Sequence, residues 1–85
     1  MSSGLSLTDG FDLSGMTSDQ VYVRYIAVGG VEDPLLVEAH LLGLIDPGSY
    51  EHDVVAQALN EHFIELGQDH VVGYVRVTGN GPLPL

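Results

Sequence analysis

Apolar positions are spread unevenly along this chain. In residues 1–16 they occur singly, as Leu5, Leu7, Phe11 and Leu13 among Ser, Gly and Asp. No period is sustained, so this stretch reads as a flexible N-terminal arm, with Phe11 and Leu13 able to dock as alternate residues of a short extended piece. Thr17-Ser18-Asp19-Gln20 follows, a capping box with an acid at the positive end of the helix dipole. The β-branched and aromatic residues of 21–28 favour a strand, whereas the box before them and the Gly29-Gly30 stop after them favour a helix. A helix is expected over 17–29, with Val21, Tyr25 and Val28 on one face, Tyr22 and Ile26 beside it, and Arg24 as its only charge within 21–28.

Asp33-Pro34 starts a second helix, since Asp can cap and Pro at the first position loses no needed hydrogen bond. It is expected over 33–45. Leu35, Leu36, Val37, Ala39, Leu41, Leu42, Leu44 and Ile45 surround its axis, interrupted only by Glu38 and His40. A helix apolar all round is either central or covered by a partner, and a domain this small has little room to bury every side of one helix. Asp46-Pro47-Gly48-Ser49 is a turn, with Ser49 as the expected cap of a third helix over 49–66. Val55, Leu59, Phe63 and Leu66 form its apolar stripe with Ala58 alongside, Asp53, Gln57, Asn60, Glu61 and Glu65 lie mostly opposite, and Gly67 ends it. Residues 70–77 read as extended, with Val71, Gly73, Val75 and Val77 on one side. The expected fold is all-α: a small three-helix bundle in a single domain over 17–77, with the arm before it and a flexible Gly/Pro tail over 78–85. The alternative is an α+β, β-α-α-β arrangement, in which 21–28 and 70–77 are both strands.

Composition narrows the choice of partners. Arg24 and Arg76 stand against 12 acids, for a formal charge of −10, yet 45% of the 85 residues are apolar. That is enough apolar surface for a core, which separates the chain from disordered acidic tails. A chain of this size buries about 60–65% of its unfolded surface, so its stability margin is narrow. There is no cysteine, which removes disulfides, thiolate metal sites and cysteine catalysis. No basic N-terminal leader is visible and the apolar run 34–45 is too short to span a bilayer, so a cytoplasmic protein with no membrane partner is expected. Two arginines make no phosphate-binding patch, so direct nucleic-acid binding is not expected either. A basic protein, by contrast, would be steered towards this surface. The plainer role of the charge is solubility.

Chemistry finds little support. His40, His52, His62 and His70 show no His-x-x-His or His-Glu-x-x-His spacing. His52 and His62 sit roughly 15 Å apart along one helix, too far to share an ion. His62 and Glu65 can meet, but need ligands from elsewhere. The acids lack the order of a calcium loop, Gly79-Asn80-Gly81 precedes no helix, and Gly29-Gly30 lacks a phosphate-binding lysine. No serine occupies a nucleophile elbow; Ser14 and Ser49 read as loop and cap residues. Glu61 and Glu65 face outward with nothing to raise a pKa. The opening Glu32-Asp33-Pro34-Leu35 also lacks the serine on which acyl carrier proteins hold their prosthetic arm. No cofactor, metal or catalytic residue is assigned.

The stretch 19–66, with Tyr22 to Tyr25 before Gly29-Gly30, then PLLVEAHLLGL and YEHDVVAQALNEHF, resembles a type of short acidic bacterial protein. The resemblance implies no activity, ligand or catalytic residue. The expected function is that of a non-enzymatic protein-interaction or regulatory domain. It would self-associate through helix 33–45 or dock on a basic protein. Leu36, Leu41, Leu42 and Ile45 are the expected contacts, with Glu38, Glu61 and Glu65 on the rim. A metal- or pH-responsive regulator built on His40, His52 or His62 is the alternative, and a small enzyme a third.

Overall fold

The computed structural model describes residues 4–75. Among them the chain forms four helices: α1 (Leu7–Ser14), α2 (Ser18–Ala27), α3 (Pro34–Leu41) and α4 (Ser49–Glu65). The all-α reading holds and the count of three does not. The additional helix, α1, falls inside the segment read as an arm. Its N-cap is Ser6, whose hydroxyl accepts the Asp9 N–H at 3.1 Å. Its inward stripe is Leu7, Gly10, Phe11 and Ser14, the last bonded to the Phe11 carbonyl. Two of those four positions are small, so the helix packs closely without showing an apolar period.

The cap signals ahead of α2 and α3 act as read. The Thr17 hydroxyl accepts the Gln20 N–H while the Gln20 side chain accepts the Thr17 N–H, at 3.1 and 2.9 Å. Asp33 accepts the Leu36 N–H at 3.0 Å, with Pro34 in the first turn. The region 21–28 is therefore helical up to Ala27, with Val21 and Tyr25 buried, and the β-α-α-β alternative falls because the described residues contain no strand. α3 stops four residues before the expected end. Gly43 takes φ 77°, and the Gly43 and Leu44 N–H groups turn back onto the His40 and Ala39 carbonyls. This closure favours glycine and halts the helix. α4 starts with Gly48, not Ser49, at its N-cap, and with no side-chain cap bond.

α1 and α2 each pack on both α3 and α4. The core is one cluster in which α4 contributes most: Val54, Val55, Ala56, Ala58, Leu59 and Phe63 are buried. Leu66, expected in that stripe, is exposed. α4 is thus the central helix and α3 the peripheral one. The polar side of α4 also departs from the reading. Asp53 and Asn60 are buried, because residues 71–75 cross over them. The Asn60 amide bonds both the N–H and the carbonyl of Val72, at 2.7 and 3.0 Å, and Asp53 accepts the Val75 N–H at 2.6 Å. On its other edge Val72 forms a parallel bridge with Leu5. Of the segment read over 70–77, residues 70–75 are described and hold one isolated bridge; Val72, not Val71 or Val75, is the residue turned inward, and Val77 lies outside the described residues. The expected tail over 78–85 lies outside the described residues.

Gly30 shows how tightly the domain closes. A Cβ there would enter the ring of Tyr25, which is fully buried. Gly30→Ala should lower unfolding stability by about 1–3 kcal/mol, the cost of overpacking a fixed site, as measured by chemical denaturation.

Candidate protein-interaction surface

The polar framework beneath the surface starts at Tyr25. Its hydroxyl accepts the N–H groups of Val31 and Glu32, at 3.1 and 2.9 Å, and donates to Glu51 Oε1 on α4 at 2.7 Å. The Tyr22 hydroxyl donates to the Glu32 carbonyl at 3.0 Å. The Glu32 carboxylate then lies 2.8 Å from His40 Nε2, and His40 Nδ1 lies 3.1 Å from the carbonyl of Ile45. A carbonyl can only accept, so Nδ1 carries a proton. Nε2 faces a carboxylate oxygen of Glu32. This network fixes both ends of α3: the loop that enters it and the turn that leaves it.

What the framework presents is apolar. Val37, His40 and Leu41 face the core. On the opposite side of α3, Leu35 is 76% exposed and Leu42 50%. They are seven residues apart, on one face, with Ala39 and Glu38 between them. Leu44 and Ile45 continue the exposed patch, and Leu36 borders it at 38%. Of the expected contacts, Leu36, Leu42 and Ile45 are therefore available. Leu41 is fully buried and is a core residue; an all-round apolar helix hides one of its sides, and composition does not say which. Leu35 is a strongly exposed member of this face that was not among the expected contacts.

The expected acidic rim is divided. Glu38 flanks the α3 face. Glu61 and Glu65 belong to α4 and are engaged away from α3, Glu61 with Gln57 and Glu65 with Arg24 of α2. The Arg24 pair is two-pronged, at 3.0 and 2.6 Å. The Arg24 guanidinium bonded to Glu65 holds that carboxyl below its ordinary range, while the bond from Glu65 raises Arg24 further.

Nearer α3, a groove of about 400 Å³ runs along α1. Phe11, Met16, Leu41 and Leu42 line it, with Thr8, Asp9, Asp12 and Gly15.

The histidines act as cross-links. His52 Nε2 donates to the Gly73 carbonyl at 2.8 Å, His62 Nε2 to the Ser14 carbonyl at 3.0 Å, and His70 packs edge-on against Phe63. His40 and His52 line one small cavity with Asp46. No group of three or more His, Cys, Asp or Glu side chains among the described residues could hold a metal ion. No protein-family model matches this sequence, and comparison with curated proteins and with solved structures likewise gives no match.

Burial, followed by the bond to Glu51, pushes the Tyr25 phenol from its usual value near 10 up to about 12. A raised phenol pKa means that the folded state keeps the proton longer. The associated stability is complete below pH 10 and is lost as pH rises towards 12, on the order of 2–3 kcal/mol. Denaturant titrations between pH 8 and about 12 should show this loss in the parent chain. Tyr25→Phe should be about 2 kcal/mol less stable at neutral pH, because the N–H groups of Val31 and Glu32 lose their acceptor. Its stability should also fall less steeply above pH 10.

Proposed function

We propose that this protein is a small, non-enzymatic interaction domain that docks on a basic protein, in the cytoplasm, through the outward face of α3. The observation that carries the reading is the uncovered apolar face of Leu35 and Leu42, continued by Leu44 and Ile45, on a molecule of formal charge −10. Apolar contact would supply affinity, and the surrounding field would attract a cationic partner and repel anionic ones. No helix among the described residues is long and apolar enough to cross a membrane. The resemblance to short acidic bacterial proteins accords with this reading and adds no activity to it.

Self-association through the same face is a second reading, favoured by the same leucines. The two readings differ in the sign of their salt dependence. Two copies at −10 repel, so added salt would strengthen a homodimer; a basic partner would be released. A histidine-based regulator is a third reading, supported by His40, through which Glu32 and the carbonyl of Ile45 are joined. Loss of these two contacts would loosen the turn that carries part of the face.

The test is Leu35→Ser/Leu42→Ser. Both positions are half-exposed or more, so the double variant should keep its thermal unfolding nearly unchanged, within about 1 kcal/mol. In pull-downs at low and high salt, it should lose the basic proteins that the parent chain retains at low salt. Equal retention by parent and variant rules out this face. Light scattering across salt concentrations distinguishes the homodimer.

A further inference from the structure

We propose that the groove between α1 and the C-terminal end of α3 is the seat for one apolar anchor of a basic amphipathic segment from another protein, with Lys or Arg residues beside that anchor. The inference rests on the basic-partner reading and assigns it a second element, which adjoins the α3 face at Leu42. The floor is apolar: Leu41 is buried, Phe11 and Met16 are half-buried, and Leu42 forms an exposed wall. A volume of about 400 Å³ admits a large side chain such as Leu, Met or Phe.

The rim specifies the charge of the occupant. Asp9 and Asp12 are exposed, three residues apart on α1, and both line the groove. Neither carboxylate has a hydrogen-bond or ion-pair partner among the described residues. Like charges at this spacing repel. Asp12 also lies in the last turn of α1, where the helix dipole disfavours an anion and no basic residue offsets it. One cation at the rim relieves both penalties. The chain does not provide it from the described residues, because Arg24 is committed to Glu65 across the α2–α4 contact. A second copy, at −10, is a poor source of cations. An apolar anchor flanked by positive charge from a different protein satisfies floor and rim together.

The experiment uses the full chain, isotope-labelled, with three synthetic peptides: an amphipathic leucine–lysine peptide, its leucine–glutamate counterpart, and a serine–lysine peptide without leucine. The leucine–lysine peptide should bind, shifting the amide signals of residues 8–16 and 41–43, and the other two should bind at least tenfold more weakly. Asp9→Asn/Asp12→Asn should weaken binding by about tenfold, the upper range for two rim charges. Asp19→Asn/Asp69→Asn removes the same charge from exposed positions elsewhere and should change binding less than about twofold. Equal weakening by the two double variants, or equal binding of the leucine-free peptide, overturns the groove and leaves the basic-partner reading intact. Shifts confined to Leu35, Leu36 and their neighbours do the same. If no lysine peptide binds the parent chain, the basic-partner reading itself fails. A change in oligomeric state, and not in peptide binding, on altering Asp9 and Asp12 makes the groove a contact between copies and overturns the proposal.

Discussion

Much of this small domain depends on one buried phenol. Tyr25 fills the centre of the α2 face while its hydroxyl meets two loop N–H groups and a carboxylate from α4. A phenylalanine could fill the same volume but could not satisfy the loop between α2 and α3. Because that loop continues through Glu32 to His40 and the carbonyl of Ile45, the position of α3 is set by hydrogen bonds as much as by packing. The apolar face proposed for docking is thus held at both ends, so a partner would meet a preformed surface and less ordering cost would oppose binding.

The scarcity of cations shapes the tertiary links. One arginine–carboxylate pair, Arg24–Glu65, joins two helices among the described residues. Many of the other cross-links use uncharged donors, namely tyrosine hydroxyls, the Asn60 amide, and ring N–H groups of His52 and His62, on backbone carbonyls or on the Glu51 carboxylate. Such bonds respond weakly to ionic strength, whereas the long-range field of the ten excess negative charges responds strongly. Salt would therefore modulate the proposed association over a range in which the fold itself barely changes.

How much was legible in the sequence follows from which signals were local. Caps and stops are local, and the Thr17 box, Asp33-Pro34 and Gly67 acted as read. The stripe Val55, Leu59 and Phe63 is a strong period and was correct. α1 was missed because its inward face contains Gly10 and Ser14, which pack without contributing hydropathy. The available clue was Ser6 three residues before Asp9, the same cap grammar that identified α2. Asp53 and Asn60 were assigned to the solvent because polarity normally indicates exposure. Their partner is backbone from residues 72 and 75, and sequence does not announce that pairing. The candidate surface was half legible for the same reason. The excess of leucines around α3 was visible, but the choice of Leu41 as the buried one is made by the neighbouring helices.

Val72 joins regions from opposite ends of the described chain. Leu5 pairs with its backbone, Asn60 grips its other edge, and its side chain fills the space beneath Gly10. On a ribosome, α1 therefore emerges long before the residue that completes its seat. Until Val72 emerges, the space beneath Gly10 is unfilled, and it is closed by one of the more distant contacts among the described residues. In a mostly helical fold, the architecture associated with local contacts, a part of the core is thus completed by a contact between distant parts of the described chain.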